Sequence, residues 1–407
     1  MERIMKEIRG GICAPKGFKA SGIHCGIRKN KSKKDLALIV SENVCRSASV
    51  YTTNLVKGAP ILVTKENLEN GMAQAIICNS GNANTCNANG IEIAKEMCLL
   101  VEKHTAISKN DIIVASTGVI GQTLNIAPIK QGMKELVKAL GDNSSDANEA
   151  IMTTDTIAKE VAISFEIDGV ECRIGGIAKG SGMIHPNMAT MLVFLTTDVA
   201  ISPELLKKAL SEDVKSSFNM VSVDGDTSTN DMLSILANGK AENKEIIKDG
   251  ADLKVFAEAL NYVTVKLCKM IAKDGEGATK LVECEVLGAH DTETARIVAK
   301  SVITSSLLKA AMFGADANWG RVLCAIGYST ANVDVEKIDV DFKSKAGRIC
   351  VCKNGAGVTF SEEIAKTILL CDEITIIINL NSGNETATAW GCDLTYDYVK
   401  INGDYRT

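Results

Sequence analysis

Apolar runs of strand length alternate with stretches of helical period along all 407 residues, and this alternation limits the fold more than any single motif does. Strands are expected at Leu36–Val40, Ala73–Cys78, Asp111–Ser116, Val161–Ile167, Met191–Thr196, Met232–Ala237, Lys280–Leu287, Lys337–Phe342 and Ile374–Leu380. Helical period is clearest at Ile91–His104, Ile129–Leu140, Pro203–Phe218, Leu253–Lys273 and Ser361–Leu370, with Ser202 before Pro203 a favourable start. Runs such as VECEVLG and IDVDF alternate polar with apolar, so mixed or antiparallel sheets are expected, each covered by helices on one face. The fold class is α/β (α+β). A chain this long exceeds one ordinary hydrophobic core, so two lobes are expected. The glycine-rich stretch Gly175–Gly182 reads as a loop.

Composition removes several function classes. Apolar residues make up 46% and charged residues 23%, and the net charge of −5 leaves no basic footprint for a nucleic acid. The start of the chain has no signal-type apolar core and the longest apolar runs are far too short for a membrane span, so no membrane partner and a cytoplasmic location are expected. The 14 cysteines are scattered without a CxxC and read as reduced thiols. Cys350 and Cys352 alternate in a strand-like stretch and are expected on one side of it, as packing. Only four histidines are present, without HxxxH or HExxH spacing, so no metal is called. His185 reads as shaping its loop.

The common catalytic patterns fail in turn. Gly180-Ser181-Gly182 is not a GxSxG elbow, and Gly118-Val119-Ile120-Gly121 falls short of a dinucleotide fingerprint. What remains is six clusters dense in Asn, Thr, Asp and Gly at element ends: Asn79–Gly90, Ser116–Gly121, Met152–Thr156, Asp224–Asp231, Lys273–Lys280 and Phe313–Arg321. Their placement suggests loops converging on a polar pocket. A further candidate is Thr190, which opens an apolar strand after KGSGMIHPNMA. Its β-branch suits the strand in any case. If the Ala189-Thr190 bond were cut, the freed α-amine, titrating near roughly 7.7–8.0, could serve as base for the Thr190 hydroxyl, and no histidine would be needed.

The segment KGSGMIHPNMATML, with GGICAPKGF, NSGNANTCNA, STGVIG, MTTDT, DGDTSTND, GEGATK, ADANWGR and NGDYRT in order, resembles the ornithine acetyltransferase (glutamate N-acetyltransferase, ArgJ) family from Gly10 to Thr407. The resemblance implies a two-lobed fold cut by the chain itself into an N-terminal fragment, 1–189, and a C-terminal fragment, 190–407, interlocked and assembled as a heterotetramer of two of each. It also implies that Thr190 is the nucleophile and that Thr117 and Gly118 form an oxyanion hole. Substrate-binding positions are Thr153, the best-aligned threonine of MTTDT beside Thr154 and Thr156, then Lys179, Thr190, Glu276, Asn402 and Thr407. The implied reaction moves an acetyl group from N2-acetylornithine to glutamate through acetyl-Thr190, in arginine biosynthesis. No cofactor is required, and acetyl-CoA is a candidate second donor. The rival enzyme is a self-processed amide hydrolase or aminopeptidase in which water resolves the same ester.

Overall fold

The computed structural model describes residues 5–185 and 191–404. Its strands are β1 (Lys6–Glu7), β2 (Phe18–Ile23), β3 (Leu36–Tyr51), β4 (Met72–Asn82), β5 (Ile112–Val119), β6 (Lys159–Ile167), β7 (Val170–Lys179), β8 (Leu192–Thr197), β9 (Val221–Ser222), β10 (Met232–Ala237), β11 (Leu281–Ala289), β12 (Asp339–Ser344), β13 (Gly347–Lys353), β14 (Ala356–Gly357), β15 (Glu373–Asn379) and β16 (Glu385–Cys392). Among the described residues they form two mixed sheets. The first runs β1-β6-β7-β8-β10-β3-β4-β5, with β2 also on β3; the second runs β14-β13-β12-β15-β11-β16-β9. Within the first sheet β8/β10 and β4/β5 are parallel, and β3 is long enough to pair with β2 and β4 through its first half and β10 through its second.

All nine expected strands form, and the five expected helices appear as Gly90–Thr105, Ala127–Lys138, Pro203–Ser216, Ala251–Lys273 and Glu362–Leu369. Ser202 caps Pro203–Ser216 as its position suggested, its side chain accepting from the Leu205 N–H. The first sheet departs from the expectation in being buried on both faces. Leu36 and Leu38 pack with Ile93, Met97, Ile129 and Met133, whereas Ala37 and Ile39 turn to Ile12, Ala147 and Ile151. An unbroken apolar run such as LALIV is what a strand covered on both sides requires. A third cluster runs from Val193 and Leu233 through Phe256, Leu260 and Val263 of helix Ala251–Lys273 to Val286 and Ile376. The two sheets therefore share that core, with the long helix between them.

Two sequence expectations are corrected. Gly175–Lys179 is not loop but the second half of β7, paired with β6 and β8. Its glycines stand where neighbours come too close for a side chain: a Cβ on Gly175 would lie 1.9 Å from the Gly11 carbonyl oxygen, and one on Gly176 2.4 Å from the Leu195 side chain. The β6–β7 turn carried the overlooked signal, Asp168-Gly169, both at positive φ. Cys350 and Cys352 do not share a side either. Opposite β13 the register shifts, Val340 pairing with Cys352 and Asp341 with Cys350, so a bulge at Val351 leaves Cys350 exposed and Cys352 buried.

Candidate active site

The C-terminal end of β5 begins the site. There β4 and β5 lose register, Asn82 facing both Thr117 and Val119. Gly118 takes φ +128°, and a Cβ there would meet the Gly81 carbonyl carbon at 2.4 Å and the Asn82 nitrogen at 2.6 Å, so no other residue fits without moving backbone. The Thr117 hydroxyl has no hydrogen-bond partner among the described residues and borders a cavity.

Amide side chains hold this strand end rigid. Asn230 donates to the carbonyls of Ala83 (2.6 Å) and Ser116 (3.0 Å) and accepts from the hydroxyls of Thr85 (2.5 Å) and Thr229 (2.6 Å), so all its bonding capacity is used. Asn79 accepts from the Ser116 hydroxyl and donates to the Asn82 carbonyl. The asparagines of NSGNANTC and DGDTSTND are thus mainly structural clamps, tying irregular backbone that has no ladder of its own.

A buried ion triad joins the other loops. Lys159, fully buried, lies 2.7 Å from Asp155 and 2.5 Å from Asp274. Asp155 also accepts from the N–H groups of Gly180 and Thr153, and Asp274 from Thr156. Ser181 donates to the Asp274 carbonyl. Burial alone would raise the Asp155 carboxyl, but the charges of Lys179 and Lys159 and the Gly180 N–H outweigh it and hold it at about 2. One cation thereby fixes MTTDT, the end of β7 and the KDGEG turn against each other. None of the three was singled out by itself: Asp155 and Asp274 fall within two of the polar clusters, and Lys159 carries only its place four residues after Asp155 at the start of a strand.

These loops enclose a cavity of about 160 Å³ bordered by Thr117, Gly118, Thr153, Thr154, Lys179, Glu276 and Asn402. Six of the substrate and oxyanion positions read from the sequence are therefore brought together. Thr156 is not among them, since its hydroxyl is engaged by Asp274, which leaves Thr153 and Thr154 as the threonines that face the cavity. Lys179 is buried and has no hydrogen bond or ion pair among the described residues, an arrangement suited to an incoming carboxylate. Glu276 is half-buried and accepts from Asn402 Nδ2 at 2.8 Å, while Gly182 leaves it room: a Cβ there would fall 2.3 Å from its Oε2. Ala189, Thr190 and Thr407 lie outside the described residues. Met191 and Leu192, which follow Thr190 in the chain, border the cavity.

Five of the six polar clusters reach this region; FGADANWGR does not, Asn318 instead capping helix Trp319–Gly327. His185 bonds Ser222 at 3.1 Å, and burial together with the Lys300 charge lowers its imidazole to about 4, so it is neutral at pH 7. Among the described residues no group of three or more His, Cys, Asp or Glu is placed to hold a metal ion, and no helix is long and apolar enough to cross a membrane.

Fold and cavity define an α/β protein whose strand ends offer a polar pocket, one cation and two carboxylates to a small charged molecule. The chain belongs to the ArgJ family, whose model matches residues 19–407. It is 52% identical over 394 residues to arginine biosynthesis bifunctional protein ArgJ 1 of Clostridium acetobutylicum, covering 96% of each chain. It is 49% identical to the arginine biosynthesis bifunctional protein ArgJ of Caldanaerobacter subterraneus subsp. tengcongensis, covering 99% of this chain and 100% of that one. Among solved structures, a chain of arginine biosynthesis bifunctional protein argJ from Bacillus halodurans is 48% identical with a TM-score of 0.50, covering 52% of this chain and 98% of that one.

Proposed function

We propose that this chain is a glutamate N-acetyltransferase of arginine biosynthesis that takes the acetyl group of N2-acetylornithine and gives it to glutamate through an ester on Thr190. The observation that carries the reading is the convergence of Thr117, Gly118, Thr153, Lys179, Glu276 and Asn402, spread over most of the sequence, on one cavity bordered by Met191. Chain cleavage before Thr190 frees an α-amine. That amine takes the hydroxyl proton, the oxygen attacks the acetyl carbonyl, and the tetrahedral oxyanion is stabilised by the Thr117 hydroxyl and the Gly118 N–H. The ornithine amine leaves with the proton. In the second half the glutamate amine attacks acetyl-Thr190 and regenerates the enzyme. Lys179 pairs with a substrate carboxylate, and Glu276, steadied by Asn402, pairs with the ornithine side-chain ammonium, with Thr153 and Thr407 completing the contacts.

The topology suits fragments 1–189 and 190–407. β8 and β10 of the second lie between β7 and β3 of the first, so strand pairing keeps them joined after cleavage. The Bacillus halodurans chain, about half as long as this one, accords with a relative in two pieces. We place two of each fragment in a cytoplasmic heterotetramer. The chemistry calls for no cofactor, and because the relatives are called bifunctional we take acetyl-CoA as a second acetyl donor.

Intact-mass analysis with N2-acetylornithine tests this reading. Wild type should give two fragments meeting at Ala189/Thr190 and a transient acetyl adduct on the second, both absent in Thr190→Ala. A protein that stays at 43.3 kDa, or an adduct elsewhere, would overturn it. Partition of the ester between glutamate and water separates transfer from hydrolysis, and glutamate-dependent consumption of acetyl-CoA tests the second donor.

A further inference from the structure

Three ionisable side chains of the described residues border the cavity, Lys179, Glu276 and Asp231, and the reaction as written uses only the first two. Asp231 is 3% exposed, and its Oδ2 has no hydrogen-bond partner among the described residues. A buried carboxylate oxygen with no donor is costly to keep, and its position against a cavity places it to meet a donor that arrives during the reaction. The strand register indicates which donor. Met232 pairs with Leu192 across the parallel β8/β10 ladder, and the Met232 N–H donates to the Met191 carbonyl at 2.9 Å. Asp231 therefore stands level with Met191, the residue that follows Thr190 in the chain.

We propose that Asp231 is a positioning residue for acetyl transfer: its carboxylate accepts N–H hydrogen bonds from the α-amine that cleavage frees at residue 190 and holds that amine toward the hydroxyl. The inference rests on the Thr190 reading above. When the Thr190 Oγ–H proton moves to the α-amine, an ammonium forms as the new C–O bond closes and the carbonyl electron pair moves onto the oxyanion. As the C–N bond breaks, the same proton passes to the leaving amine. Asp231 takes no proton in this sequence; it supplies an acceptor and a counter-charge for the transient ammonium. Of the other charged groups that border the cavity, Lys179, whose charge acts on Asp231, and Glu276 are assigned to substrate in the reading above, while Asp155, Lys159 and Asp274 satisfy one another in the buried triad. Burial holds the Asp231 carboxyl well above the usual range, more than Ser228 and Lys179 offset, and an ammonium beside it reverses that shift.

Cleavage precedes the existence of the α-amine, so the two events respond differently. Asp231→Asn should still split at Ala189/Thr190 but lose acetyl transfer by about 100-fold or more. The acid limb of its kcat/KM profile should move to lower pH, because a nearby carboxylate raises the pKa of an amine and the amide does not. Asp231→Glu, which keeps the charge, should retain an acid limb near that of wild type with a smaller loss of rate. An acid limb in Asp231→Asn that stays where wild type has it overturns the proposal even if the rate falls, since a merely structural role predicts that result. Failure of both variants to split also overturns it, assigning Asp231 to the fold or to cleavage. If instead Thr190→Ala still forms an acetyl adduct, the parent reading fails, and the two failures are told apart by that measurement.

Discussion

Replacing Lys159 by methionine should separate the buried triad's role in stability from its role in holding the site. Lys159 is fully buried within 2.7 Å of Asp155 and 2.5 Å of Asp274, so its removal leaves two buried carboxylates without the cation that bonds them, and only the unbonded Lys179 charge still acts on Asp155. Breaking such a pair on one side costs about 3–5 kcal/mol, because the partner charges remain desolvated. The pH dependence has a definite sign. Asp155 is held at about 2 when folded, below its unfolded value, so its stabilising contribution is present above pH 4 and is lost as pH falls through about 2. In Lys159→Met the Asp155 carboxyl titrates higher, because one of the charges that hold it down is gone, and its protonation relieves the repulsion between the two side chains. The stability gap between wild type and variant should therefore be largest near pH 7 and shrink as pH drops toward 4. Urea unfolding at pH 7, 5.5 and 4 measures it. The same variant should raise KM for N2-acetylornithine, since Thr153, Lys179 and Glu276 sit on loops the triad joins. A variant within about 1 kcal/mol of wild type at pH 7, or a gap that widens in acid, would refute the reasoning.

Thr117→Val keeps the shape of the strand end but removes the proposed oxyanion donor; kcat should fall about 100- to 1,000-fold with KM little changed, in steady-state kinetics. Gly182→Ala puts a Cβ 2.3 Å from the Glu276 carboxylate, the free end of a flexible side chain. It should raise KM for N2-acetylornithine about tenfold while stability changes by less than about 1 kcal/mol by urea midpoint. Gly175→Ala drives a Cβ to 1.9 Å from a backbone oxygen that cannot swing aside, so it should destabilise by about 3 kcal/mol, seen as a lower midpoint and poor soluble yield.

How far the sequence could be read depended on where each residue's partners lie. Met191–Thr196 and Met232–Ala237 were legible as strands because each run is mainly apolar, whereas VECRIGGIAK was not, because its Gly175 answers to backbone from Gly11, 164 positions before it. Helix Thr292–Thr304 was overlooked because Thr, Val and Ile weaken its local signal; packing on β16 and β11 sustains it, with Asp291 as its cap. Thr117, Gly118, Lys179 and Glu276 could be named because they sit in motifs whose order is itself informative. Asp155, Asp274, Asn230 and Asp231 were legible only as members of polar clusters and Lys159 not at all, since residue type and neighbours carry no sign of burial.

The sequence alone determined the α/β class, the positions of most core strands and a set of polar, glycine-bearing element ends, because periodicity and backbone freedom are local properties. The tertiary structure decided that five of the six polar clusters meet while the sixth merely caps a helix. It also set one buried lysine between two aspartates and left one carboxylate oxygen at the cavity without a partner among the described residues. Each depends on desolvation and on distances between residues far apart in the chain, and neither exists until the sheets have packed.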